Sequence, residues 1–203
     1  WVIPILSGIF TSYRQNISTI GGISGIIAWS SAVSQFASYL NLFRLQGIPD
    51  WYGNPLHPYS NIFLTNPFFV LAGFFIPLIV FSSLFIVKKY TQHLQIVLFF
   101  ILLALIAIIF TAGSHPPFGF VYNFFLSVVP GFAVFRTPFY KFAPALWFAY
   151  SYLFSFSAYF LLQELNKPKL IAHKFIKNII FAVILFLILG YSFPFFTGSF
   201  FKW

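Results

Sequence analysis

The chain has 203 residues, of which 60% are hydrophobic and only 6% charged, where a soluble domain carries roughly 25% charged residues. That excludes a water-soluble globule and makes a bilayer the main solvent. Cysteine is absent, which excludes disulfides, thiolate nucleophiles and sulfur-ligated metals. The net charge of +9 does not mark a nucleic-acid binder, because the basic residues flank apolar spans and form no stripe.

Methionine is also absent, and position 1 is a tryptophan in "WVIPIL", an aromatic of the kind found where a membrane helix leaves the bilayer. The chain therefore reads as an internal piece of a longer membrane protein. Residues 1–66 read as an outer-face or interfacial segment. Asn16 opens "NIS", a glycosylation sequon. "GGISG" carries a Gly-xxx-Gly spacing without a surrounding apolar 20-mer, so residues 21–25 are expected to form a loop or re-entrant turn.

Four spans follow, so the predicted fold class is all-α integral membrane with interfacial helices in the outer loops. "PFFVLAGFFIPLIVFSSLFIV" (67–87) carries no charge and as a helix covers about 31 Å, enough for a hydrocarbon core of about 30 Å. Pro77 in its middle predicts a kink, with the freed carbonyl satisfied by neighbours. "LQIVLFFILLALIAIIFTA" (94–112) is the cleanest span. Residues 142–162 carry a Ser/Tyr/Ala-rich side suited to close helix packing. Residues 176–193 form a shorter span with Lys177 able to snorkel at one end.

The connections fix an orientation. "KKYTQH" (88–93) and "QELNKPKLIAHK" (163–174) are short and basic, so both are expected on the cytoplasmic side. Residues 1–66, 113–141 and 194–203 then face outward. Within 113–141, "VYNFFLSVV" lies between Pro117 and Pro130, long enough for about two helical turns and too short to span; an aromatic-rich helix there belongs in the membrane interface.

Soluble-enzyme motifs are missing. There is no P-loop or dinucleotide fingerprint. His57, His93, His115 and His173 are scattered over the predicted faces and offer no shared zinc site. The only acids, Asp50 and Glu164, fall on opposite sides of the membrane and cannot form a carboxylate pair. The candidates for chemistry gather on the outer face: Arg44 in "NLFRLQG", Asp50 in "IPDWYGNP", His115 in "GSHPPFG", and Arg136 with Lys141 in "PGFAVFRTPFYKF". A guanidinium and an ammonium at a membrane surface suit phosphate oxygens, and neighbouring aromatics can stack on a sugar or hold an acyl chain. Generic anchoring at lipid headgroups accounts for the same residue types. Asp50 is the sole outer-face carboxylate, open to a base role or to a turn-forming one.

In order and spacing, "W-x-x-P", "N-x-x-R-L-x-G", "G-x-x-P-P-F-G", "F-R-x-P-x-x-K" and "P-F-x-T-G" resemble the polytopic glycosyltransferases of the GT-C superfamily. The closest resemblance is to the subgroup of mycobacterial-type α-(1→3)-arabinofuranosyltransferases and related bacterial and archaeal membrane proteins. It runs through Trp1, Asn41, Arg44, Gly47, Gly113, Pro116, Gly119, Pro130, Phe135, Arg136, Pro138, Lys141, Pro194 and Gly198. The resemblance implies a prokaryotic cell membrane and transfer of a sugar from a polyprenyl-phosphate donor to an extracytoplasmic glycan or lipid acceptor. It also implies that the catalytic acid lies upstream of this piece, and that Arg136 and Lys141 help to hold the donor phosphate or the acceptor. A lipid or polysaccharide transporter and a non-catalytic membrane scaffold are the competing expectations.

Overall fold

In the computed structural model, residues 21–53, 55–165 and 171–198 are described. Among them the structure is helical throughout, with nine α-helices and no strand. In chain order these are α1 (Gly22–Ser34), α2 (Tyr39–Phe43), α3 (Pro58–Thr65), α4 (Pro67–Gly73), α5 (Phe75–Ile86), α6 (Leu94–Ala112), α7 (Gly119–Val128), α8 (Pro138–Leu165) and α9 (Ile171–Phe196). Short 3-10 turns occupy Pro49–Tyr52, Thr91–His93 and Phe132–Phe135.

Among the described residues four stretches are long and apolar enough to cross a membrane: Pro67–Ile86, Thr91–Ala112, Pro138–Glu164 and Phe175–Phe193. Phe85, at 74% exposure, and Leu78, at 64%, face outward from the first of them. Water would penalise such faces and lipid does not, so the chain is a multi-pass membrane protein. These spans match the sequence expectation to within a few residues, and α7 forms where a short helix between two prolines was expected.

The kink anticipated at Pro77 takes the form of a break at Phe74. Proline has no N–H and leaves the carbonyl four residues back without its helical donor. The Phe74 N–H turns to Leu71 O at 3.0 Å instead of continuing the α-helical ladder, which divides the span into α4 and α5. The start of α4 is capped in the usual way: Pro67 holds the first turn, and the Asn66 side chain accepts from the Phe68 N–H at 2.9 Å.

Residues 22–34 depart from the expected loop or re-entrant turn. They form α1, and the flanking glycines serve its entry: Gly21 and Gly22 have φ of 83° and 74°, a left-handed conformation that only glycine adopts without strain. Ile26, Ser30 and Ser34 make a buried stripe at four-residue spacing. Packing of that stripe outweighs the weak helix propensity of a glycine- and serine-rich segment.

By contacts the chain divides into two compact units. The first comprises Trp1–Leu42, Gln46–Pro49 and Ile106–Pro144; the second comprises Phe43–Leu45, Asp50–Leu105 and Ala145–Trp203. The first is centred on Ile26, Tyr122, Leu126 and Ala133, with Phe110, Phe132 and Phe142 packed around them. The second buries Val80, Val87, Val97, Ala149 and Leu153. Ala149 and Ser157 on α8 are fully buried, in keeping with the small-residue side read from the sequence. Trp1, Asn16, Lys167 and Lys169 lie outside the described residues.

Candidate functional site

The five candidate residues divide between the units: His115, Arg136 and Lys141 belong to the first, Arg44 and Asp50 to the second.

In the first unit the segment before Arg136 is fixed by α7. Tyr122 is fully buried and its hydroxyl donates to the carbonyl of Phe135. Its ring meets Phe110, Phe132 and Phe142 edge-on, a geometry favoured by the ring quadrupoles. Burial raises the Tyr122 pKa far above the usual tyrosine range, so the phenol stays neutral and available as a donor. Gly131 supplies the left-handed turn into the 3-10 segment at φ 86°, and the Arg136 N–H closes that segment on Ala133 O at 3.1 Å. Arg136 then stands exposed just ahead of α8, and Lys141 is exposed on the first turns of α8. No acid belongs to this unit, since Asp50 and Glu164 are both in the other.

A polar chain holds the other side of α7. The Ser114 hydroxyl lies 2.7 Å from Asn123 Oδ1 and 2.9 Å from the buried Ser30 Oγ. An amide oxygen only accepts, so Ser114 donates to Asn123 and takes its second bond from Ser30. Two glycines permit this closeness. A Cβ on Gly119 would sit 2.2 Å from Ser114 O, and one on Gly113 would sit 2.3 Å from Pro138 Cγ and 2.6 Å from Ser34 Oγ.

His115 is tied to its own turn. Its Nδ1 donates to the Pro116 carbonyl at 2.6 Å, because a carbonyl can only accept. The ring meets Tyr39 edge-on at 6.4 Å. Burial raises the Tyr39 pKa, and a backbone hydrogen bond at Phe118 partly offsets the effect.

In the second unit Arg44 is 7% exposed and sits at the break between α4 and α5. Its guanidinium donates to Val70 O at 3.4 Å and lies 5.2 Å from the centre of the Phe74 ring. A Cβ on Gly73 would meet the Tyr191 hydroxyl at 2.7 Å and the Arg44 Cδ at 3.3 Å, so the glycine makes room for both side chains. Arg44 thus supplies a donor to a carbonyl whose helical partner has turned elsewhere. Tyr52 responds to the same environment: burial raises its pKa, and the nearby Arg44 charge pulls it back down. Asp50 is exposed at the start of the Pro49–Tyr52 turn.

The sequence reading missed the Tyr122 latch, the Ser30–Ser114–Asn123 chain and a clasp at Glu164. Lys89 Nζ lies 2.5 Å from Glu164 Oε2, the Tyr90 hydroxyl donates to Glu164 Oε1, and the Tyr90 ring lies 4.1 Å from Phe160. A single acid beside basic loops was the available signal for that clasp. Asn123, a lone amide in an aromatic helix, was the signal for the polar chain. Among the described residues no three of His, Asp and Glu come together as metal ligands would.

The arrangement offers fixed, exposed cations in an acid-free unit, together with a buried arginine at a broken span. No known family matches the chain, and no curated protein or solved structure matches it.

Proposed function

We propose that the chain is part of a polytopic membrane glycosyltransferase that passes a sugar from a polyprenyl-phosphate donor to an extracytoplasmic glycan or lipid acceptor, in a prokaryotic cell membrane. The observation that carries this reading is the setting of Arg136. Its backbone is held by the Tyr122–Phe135 hydrogen bond, its side chain is exposed, and its unit contains no carboxylate to neutralise it. A guanidinium so placed suits an external phosphate, which it grips with two parallel bonds. Lys141 adds a second positive charge. The catalytic acid is assigned to no residue here; Asp50 stays open to a base role or a turn-forming one, and His115 and Arg44 act as supports of their own segments.

The test is Arg136→Lys in the intact protein. Lysine keeps the charge but cannot form two parallel bonds, and one charge-assisted bond is worth about 1.5–3 kcal/mol. Donor use should fall roughly 10- to 150-fold, with membrane insertion unchanged and Lys141→Arg milder. Near-normal donor kinetics would reduce Arg136 to a headgroup anchor.

A second reading, a carrier of lipid-linked or polysaccharide anions, draws on the broken span at Phe74 with Arg44 against it, since discontinuous helices often line transported substrates. Movement of a labelled lipid across vesicles without acceptor would favour the carrier; sugar transfer without net movement would favour the enzyme.

A further inference from the structure

α7 presents two nearly opposite faces. Gly119, Tyr122 and Leu126 point inward and are buried, while Phe120, Phe124 and Val128 point outward at 68%, 59% and 58% exposure. The spacings, three and four residues on one side and four and four on the other, place the two sets on opposing stripes of one helix. The rotation of the helix is not free. Tyr122 locks it to Phe135 O, and Asn123 locks it to Ser114. The outward face is apolar except for Ser127 at its edge, whose hydroxyl donates back to the Asn123 carbonyl at 2.8 Å, and at ten residues the helix covers about 15 Å, half a hydrocarbon core.

We infer that this stripe is a membrane-surface plate: α7 lies flat in the headgroup–acyl boundary of an anionic leaflet, Phe120, Phe124 and Val128 downward, with Arg136 and Lys141 at headgroup level. Two features select a lipid surface over a protein neighbour. The unit's own charge is positive without an acid, which complements anionic headgroups. The stripe also adjoins in sequence the start of the membrane-crossing Pro138–Glu164 helix, so it lies near the depth at which a span leaves the bilayer. Bulky aromatics on one side and cations nearby are the composition of helices that lie in the interface. This goes beyond the proposed transferase reading, because the depth of α7 does not depend on what chemistry occurs beside it.

These 203 residues contain no cysteine, so single labels can be placed here once any cysteine elsewhere in the intact protein has been replaced. Spin labels at Phe124→Cys and Val128→Cys, in the intact protein reconstituted into vesicles of equal parts phosphatidylcholine and phosphatidylglycerol, report collisions with oxygen and with a water-soluble nickel chelate. Gln92→Cys, exposed in the Thr91–His93 turn, serves as the water-facing reference. The plate predicts oxygen access with nickel protection at both α7 positions, at a depth of about 5–10 Å below the headgroups. Nickel access equal to that at Gln92 would overturn the inference. Protection from both reagents with an immobilised spectrum would overturn it as well, because a protein surface would then cover the stripe. Removing both cations (Arg136→Gln with Lys141→Gln) should cut the preference of a fluorescent label at position 124 for brominated phosphatidylglycerol over brominated phosphatidylcholine by up to about fivefold per charge. An unchanged preference would remove the anionic component of the claim.

Discussion

The guanidinium of Arg44 donates to the main-chain carbonyl of Val70, 26 residues along the chain and 3.4 Å away. The bond serves a carbonyl whose own helical donor, the Phe74 N–H, has turned to Leu71 O, beside the Gly73 carbonyl that the Pro77 ring crowds and leaves without a donor. Arg44 and Pro77 are therefore expected to be energetically coupled. Arg44→Met removes the donor and leaves a buried carbonyl short of a partner, a loss of about 1–3 kcal/mol. In a Pro77→Ala background the ladder can close through position 74, and the same substitution should cost less. A double-mutant cycle on thermal unfolding in detergent measures the difference, expected at about 0.5–3 kcal/mol. Additive costs would show that Arg44 does not serve the break.

Tyr122→Phe isolates one hydroxyl in the aromatic centre of the first unit. The Phe135 carbonyl loses its donor, so the variant should be less stable by about 1–3 kcal/mol. The ring contacts with Phe110, Phe132 and Phe142 remain. Local order just before Arg136 should fall with them intact, and hydrogen exchange at the 132–136 amides should speed up.

The same tyrosine sets a pH dependence. Burial raises its pKa in the folded protein, so unfolding releases a proton once pH exceeds the unfolded value of about 10. Stability is then full below about pH 10 and falls as pH rises further. In Tyr122→Phe the alkaline fall should be shallower but present, because burial also raises Tyr39 and Tyr52. A pH series of melting temperatures checks this; an alkaline limb identical to that of the parent protein would contradict it.

The spans were legible because long apolar runs have one stable outcome in lipid: every backbone group must bond within its own helix. The kink was legible for the same reason, since Pro77 removes a known bond. What bound the broken segment was not legible. "NLFRLQG" looks like a surface motif with a cation to spare, and nothing local says that its arginine folds under a carbonyl 26 residues on. Helix α1 was missed because a glycine spacing drew the reading, whereas the deciding pattern was the buried stripe of Ile26, Ser30 and Ser34, two of them serines that carry no apolar signal. Arg136 and Lys141 were singled out as candidates from charge and neighbours alone, but the Tyr122 bond that fixes the segment joins residues 13 apart across a turn.

Gly113→Ala should be among the most damaging single changes outside the spans. At φ 57° a side chain costs about 1–2 kcal/mol in the left-handed region. The new methyl would also meet Pro138 Cγ at 2.3 Å and Ser34 Oγ at 2.6 Å, and overpacking adds about 1–3 kcal/mol. Gly131→Ala makes the comparison sharp. It has φ 86° with nothing within 4 Å of its would-be Cβ, so it should show the conformational cost alone. Equal losses in the two variants would mean that the contact with Pro138 and Ser34 yields freely.

The orientation expected from charge can be tested directly. Lys88, Lys89 and His93 occupy one short connection, and Lys167, Lys169 and Lys174 occupy another. Positive connections are expected on the cytoplasmic side, and the four spans among the described residues would then return the remaining segments to the opposite face. Single cysteines introduced at Thr91 and Asn61, both exposed, meet no competing cysteine within these 203 residues, and the parent protein labelled in parallel gives the background. In intact cells a membrane-impermeant maleimide should modify Asn61→Cys and spare Thr91→Cys, while permeabilised cells should show both labelled at comparable rates. The permeabilised arm matters, because Thr91 neighbours the Lys89–Tyr90–Glu164 clasp and slow labelling there from both sides would report packing instead of sidedness. Rapid labelling of Thr91→Cys from outside would reverse the orientation. Arg136 and Lys141 would then face the cytoplasm, and a lipid-linked donor used outside the cell could not be their partner.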